Sequence, residues 1–137
     1  MLEDQAGDMI TGKPTVFVLD DEPNIVRTWA IILTKAGYAV ESFSDPQLAL
    51  DAIRNNPPDV LVSDVGLPGM SGIDVAIALL REHIKTKVIL ISGQTSTGEA
   101  VTEAAELGYS FDVLPKPLGP VALLETVEKL ARGQAAG

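Results

Sequence analysis

Four short stretches hold the residues able to do chemistry: Asp20-Asp21, Asp64, Ser92 and Lys116, each placed just after an apolar run. Three carboxylates gathered at one point repel one another, which raises at least one pKa and destabilises the fold unless a counter-charge is present. A divalent cation resolves this. Oxygen ligands alone suit Mg²⁺, with Mn²⁺ as the alternative, better than zinc, which prefers nitrogen and sulfur. A cation beside a further carboxylate, a hydroxyl and an ammonium is equipment for phosphoryl transfer, a reaction governed by where charges and donors stand around the phosphoryl oxygens. Asp64 is then the candidate nucleophile. Lys116 and the Ser92 hydroxyl are candidate partners of the phosphoryl oxygens, and Gly66 and Gly93 let backbone groups approach.

These residues can act together only if the elements carrying them end at a common edge. Thr15–Leu19 is continuous, β-branched and aromatic, as a strand covered on both faces reads. Pro23 opens a helix with Ile25, Val26, Trp29, Ile32 and Leu33 at helical spacing, stopped at Gly37. A second strand, Ala39–Phe43, precedes a helix capped by Ser44-Asp45-Pro46, with Leu48, Ala49, Ala52 and Ile53 on its apolar face. Val60-Leu61-Val62-Ser63-Asp64 lies between Pro57-Pro58 and Pro68-Gly69 and reads as a buried third strand ending on its carboxylate. Ile73, Ala76, Ile77 and Leu80 mark a third helix, and Lys87–Ile91 a fourth strand closing on Ser92-Gly93. Ser96 and Glu99 make a capping-box pair for a fourth helix with a thin apolar face, running to Gly108. A fifth strand, Ser110–Leu114, leads into Pro115-Lys116-Pro117, and a last helix from Pro120 to Ala131 buries Val121, Leu124 and Val127.

Strict strand–helix alternation with short connections predicts an α/β fold, a single doubly wound parallel sheet of five strands with five helices. Right-handed crossovers then bring all strand ends carrying Asp20, Asp21, Asp64, Ser92 and Lys116 to one rim, where such sheets bind ligands. His83 falls near the end of the third helix, away from that rim, and reads as a solvated surface residue. Trp29 reads as helix-to-sheet core.

The chain has 137 residues, 46% hydrophobic, enough for one core. Its net charge of −9 argues against direct nucleic-acid or membrane-surface binding, because both need clustered Lys and Arg. No cysteine is present, which removes disulfides, thiolate zinc sites and thiol catalysis. No apolar run approaches the roughly 20 residues of a spanning helix. The acidic N-terminus does not read as a signal peptide, so the expectation is a cytoplasmic protein.

The chain resembles the receiver domains of two-component response regulators from about Pro14 to Arg132. The resemblance rests on Val18-Leu19-Asp20-Asp21-Glu22, on Asp64 with Pro68 and Gly72 behind it, on Ile91-Ser92-Gly93, and on Leu114-Pro115-Lys116-Pro117. It implies a flavodoxin-like sheet in the order 2-1-3-4-5, with residues 1–13 a flexible tail, 14–132 the receiver domain, and 133–137 a tail or the start of a linker. It also implies that Asp64 accepts a phosphoryl group from a histidine kinase or a histidine phosphotransfer protein. Asp21 would hold Mg²⁺ directly, Asp20 mostly through water, and Gly66 through its backbone carbonyl, with Asp64 completing the set. Ser92 would move toward the phosphoryl group, Lys116 would pair with it, and the Lys116–Pro117 bond would be cis. The surface of the fourth helix, fifth strand and fifth helix would then switch to control an output or partner, with a receiver–receiver dimer as one form. The domain would be a signalling module that catalyses only its own phosphorylation and dephosphorylation.

One position departs from the resemblance: Val113, three before Lys116, stands where the family often has Tyr or Phe. An aromatic swing cannot occur there, so activation is expected to rely on Ser92, the fourth helix and the fifth strand, with Phe111 too far along to substitute. Gln94 and Gly66 flank the path of an attacking water. Two other classes use related parts. A Mg²⁺-dependent small-molecule phosphatase or phosphotransferase needs a second acid soon after the nucleophile, which Asp64-Val65-Gly66 lacks. A flavin domain wants a Ser/Thr/Gly-rich phosphate loop where Asp20-Asp21-Glu22 stands.

Overall fold

The computed structural model describes residues 13–67, 69–93, 102, 112–116 and 118–132. The expected fourth helix, apart from residue 102, and Phe111, Gln94, Pro68 and Pro117, with the cis bond assigned to it, lie outside the described residues, as do both chain ends.

Each predicted strand within the described residues forms. They are β1 (Thr15–Leu19), β2 (Ala39–Phe43), β3 (Val60–Asp64), β4 (Lys87–Ser92) and β5 (Asp112–Pro115). The helices are α1 (Pro23–Lys35), α2 (Pro46–Asn55), α3 (Gly72–Arg81) and α4 (Pro120–Ala131). The sheet is wholly parallel in the order β2-β1-β3-β4-β5, the expected flavodoxin-like order. β3 is central, and all five of its residues are buried, the serine and aspartate included.

Period-two alternation divides the core between the two sheet faces. Val16, Val18, Val62, Ile89 and Ile91 face Trp29 and Leu33 of α1 and Leu123 and Val127 of α4. Phe17, Leu19 and Leu61 face Ala49 and Ile53 of α2 and Val75 and Leu79 of α3. A continuous apolar strand is the sequence trace of that two-sided burial, and each fully buried Leu or Ile stabilises the fold by about 1.5–3 kcal/mol. Trp29 is core, as expected, at 5% exposure.

Local chemistry sets the helix starts. The Asp45 side chain accepts from the Leu48 N–H at 3.2 Å, with Pro46 in the first turn of α2. α3 begins with a reciprocal capping box: Ser71 Oγ accepts from the Asp74 N–H, and the Asp74 carboxylate accepts from the Ser71 N–H, each at 3.1 Å. Arg54 of α2 and Glu82 after α3 form a two-pronged ion pair at 2.6 and 2.8 Å. His83 follows with φ of 60°, exposed and away from the strand ends that carry Asp20 and Asp64. No helix among the described residues is long and apolar enough to cross a membrane.

Candidate functional site

Asp64 is the last residue of β3, and the chain beyond it is tied down by backbone hydrogen bonds. The Val65 N–H donates to the Ile91 carbonyl at 3.0 Å, while the Val65 carbonyl accepts from Leu67 at 3.1 Å and from Gly72 at 3.0 Å. The Leu67-to-Val65 bond closes a three-residue turn centred on Gly66, so the Gly66 peptide is held next to Asp64. The first turn of α3 meets the end of β3 closely: a Cβ on Gly72 would lie 2.4 Å from the Asp64 carbonyl oxygen and 2.8 Å from Ser63 Oγ. Only glycine fits there. The Ser63 hydroxyl, fully buried, donates to the Asp64 carbonyl at 2.9 Å.

Asp20 and Asp21 follow β1, the strand beside β3. Carboxylate oxygens of Asp20, Asp21 and Asp64 all lie within 4.8 Å of one another. Asp20 is 1% exposed; its Oδ1 accepts from the Glu22 N–H at 2.9 Å, while its Oδ2 is buried with no hydrogen-bond partner. Burial pushes the Asp20 carboxyl above its ordinary 3.8 despite the Glu22 N–H, and the neighbouring Asp64 charge pushes the same way.

The positive charge comes from the other edge of the sheet. Lys116 follows β5, its N–H donates to the Ser92 carbonyl at 2.9 Å, and its stem passes over Gly93, where a Cβ would come within 3.3 Å of Lys116 Cδ. Its Nζ reaches Asp64 Oδ1 at 2.6 Å and Asp20 Oδ2 at 3.5 Å. Burial pulls the Lys116 ammonium down, but its hydrogen bond to Asp64 and the charges of Asp64 and Asp20 outweigh that and hold it above its ordinary 10.5. Ser92 ends β4, half-buried, in register with Pro115. A cleft of about 620 Å³ opens beside the cluster, lined by Asn24, Ile25, Thr28, Trp29, Gly93 and Lys116.

The structure thus brings Asp20, Asp21, Asp64 and Lys116 together at one rim, with Gly66 and Ser92 on the adjoining loop and strand end. The acidic group fits a hard divalent cation on its own chemistry: all donors are oxygens, and Asp20 Oδ2 is a buried acceptor with nothing donating to it. One ammonium cannot balance three carboxylates. Sequence reasoning missed Ser63, whose trace was a lone hydroxyl inside an apolar strand, and the steric reason for Gly72.

Comparison with known proteins agrees with this architecture. The family model described as the response regulator receiver domain matches residues 16–128, and the chain belongs to that family. It is a receiver domain of the two-component response regulators, a class of signalling module. It is 40% identical over 121 residues to the transcriptional regulatory protein KdpE of Mycobacterium tuberculosis, covering 88% of this chain and 52% of the relative. It is 32% identical over 120 residues to the transcriptional regulatory protein CreB of Escherichia coli, covering 88% and 52%. The chain therefore spans about half the length of these curated relatives. Among solved structures, the receiver domain of the Francisella response regulator 1452 superposes with a TM-score of 0.78 at 31% identity, covering 89% of this chain and 99% of that one. The chemotaxis response regulator CheY4 of Vibrio cholerae does so with a TM-score of 0.73 at 29% identity, covering 86% and 98%. Nothing in these comparisons supports a small-molecule phosphatase.

Proposed function

We propose that Asp64 is the phosphoacceptor of a phosphorelay, taking a phosphoryl group from a histidine kinase or a histidine phosphotransfer protein. The observation that carries this reading is Lys116 Nζ at 2.6 Å from Asp64 Oδ1, beside two further carboxylates. An Asp64 oxygen attacks phosphorus, the bond from phosphorus to the donor's imidazole nitrogen breaks, and the imidazole leaves with that electron pair. The product is an acyl phosphate on Asp64, later hydrolysed by water.

Asp20, Asp21, Asp64 and the Gly66 carbonyl are the residues that would hold Mg²⁺, or Mn²⁺ in its place. The cation supplies neutralisation of phosphoryl charge. Lys116 moves from its Asp64 pairing to a phosphoryl oxygen, and the Ser92 hydroxyl donates to another. The receiver domain occupies residues 14–132. Val113 is 38% exposed and carries no ring, so the switch works through Ser92 and the surface formed by the fourth helix, β5 and the last helix. Val113→Tyr tests this: phosphorylation-sensitive NMR shifts should match wild type, and a large gain in coupling would count against it.

Intact mass after incubation with a small phosphodonor and Mg²⁺ tests the central reading. Wild type should gain one phosphoryl group, labile to hydroxylamine, and Asp64→Asn should gain none. Equal incorporation into both proteins would sink it.

A further inference from the structure

β2 is an edge strand, and its hydrogen-bond parity is fixed by two contacts: the Ala39 N–H donates to Pro14 and the Phe43 carbonyl accepts from Asp20. In a parallel ladder, the N–H and C=O of one residue point to the same side. Ala39, Glu41 and Phe43 therefore pair inward with β1. Val40 and Ser42 turn their backbone groups outward, where no described element pairs with them.

The same edge borders an apolar groove of about 600 Å³, formed with the flank of α1 and lined by Val26, Ala30, Ile31, Thr34 and Ser42. Ile31 is 49% exposed there, one of the largest apolar side chains on the described surface. Val40 packs with the α1-side core, so Val40 and Ser42 direct their side chains to the α1 face and Glu41 to the other. Glu41 itself is exposed.

We propose that this edge docks one extended segment of a partner protein, added antiparallel to β2 as a sixth strand. Its sequence is apolar–basic–apolar. Two apolar residues two positions apart exchange backbone hydrogen bonds with Val40 and Ser42, and their side chains lie in the groove against Ile31. The residue between them stands opposite Glu41 on the other face, where a Lys or Arg is favoured and an acid is disfavoured. That requirement separates a partner from a second copy. Pairing two copies about Glu41 would set the two glutamates face to face, on chains that each carry a net charge of −9.

The test uses the full chain and the synthetic peptide Ac-Thr-Ile-Lys-Ile-Thr-NH₂, followed by ¹⁵N NMR and amide hydrogen exchange. The peptide should shift the Val40 and Ser42 amides and slow their exchange. Replacing its lysine by glutamate should weaken binding roughly fivefold, and N-methylation of both isoleucines should abolish it. Ile31→Asp should weaken binding on the order of tenfold while leaving the thermal midpoint unchanged, as expected for an exposed position. The proposal is overturned by unshifted Val40 and Ser42 amides at millimolar peptide, or by equal binding of the N-methylated peptide. It is also overturned if those amides are already as protected as Ala39 in the free chain, or if sedimentation shows the free chain pairing with itself.

Discussion

Replacing Gly72 by alanine sets two effects against each other, and the geometry decides which wins. Alanine is the better helix former, and removing a glycine restricts the unfolded chain, together a gain of up to about 1 kcal/mol. Against this, the new Cβ would sit 2.4 Å from the Asp64 carbonyl oxygen and 3.2 Å from the Asp64 carbonyl carbon. Both are backbone atoms of the central buried strand and cannot rotate away, so α3 and the end of β3 must part by about 1 Å. Overpacking of that kind costs about 1–3 kcal/mol. Because the clash is with backbone, the upper part of that range, about 2–3 kcal/mol, applies; less the gain, the net loss is about 1–2 kcal/mol, which at roughly 4 °C per kcal/mol lowers the thermal midpoint by about 4–8 °C. The same displacement moves Asp64, the proposed acceptor, and an error of about 1 Å at a reacting group can cost on the order of 10²-fold in rate. Thermal and urea unfolding followed by circular dichroism, with the phosphorylation rate from intact mass, read both effects. Gly66→Ala is the stability control, because among the described residues its Cβ would meet only Asp64 Oδ2, at 3.7 Å, and the midpoint should hold within the equivalent of about 0.5 kcal/mol. A Gly72→Ala protein as stable as wild type and phosphorylated at the same rate would refute the close-approach argument.

Asp20→Asn should raise the stability of the metal-free protein by on the order of 1 kcal/mol and remove most of the stabilisation that added Mg²⁺ gives, measured by thermal shift with and without the ion. The sign follows from the raised Asp20 pKa: the folded state holds that proton more tightly, so its contribution to stability falls as pH rises from 3.8 through the raised value. Tyr38 is held above its ordinary 10.0, first by burial and then by Glu128, so stability should fall as pH rises from 10.0 through the raised value. Alkaline ultraviolet titration of wild type against Tyr38→Phe checks this, and ionisation of Tyr38 at 10.0 or below would contradict it. Leu33→Ala, at a fully buried position, should cost about 2–5 kcal/mol in urea unfolding. Glu82→Ala should leave the urea midpoint nearly unchanged, because its bond to Arg54 is largely in solvent.

The frame was legible in the sequence because it depends on period and punctuation. The uninterrupted runs at Thr15–Leu19 and Val60–Asp64 announced strands buried on both faces, and Pro23 and Pro46 stand where α1 and α2 begin. Asp20, Asp21, Asp64 and Lys116 could be assigned to one rim because each followed such a run. What escaped the sequence depends on contacts between distant segments. That Gly72 is pressed against the Asp64 carbonyl, or that Arg54 meets Glu82, has no local signature. The exposed side of β2 escaped for the opposite reason: Ala39–Phe43 reads as a strand whether or not a neighbour covers its outer edge.

The two charged partners at the rim are mounted very differently. Asp64 closes β3, which is wholly buried and hydrogen-bonded on both sides, whereas Lys116 hangs from β5, a half-exposed strand paired with β4 alone among the described elements. Like a vice with one jaw bolted down, the pair is expected to part on the lysine side. On the proposed reading of Asp64 as phosphoacceptor, room for an incoming group comes from β5 giving way, and phosphate arriving at the middle of the molecule should be felt first as movement at its margin.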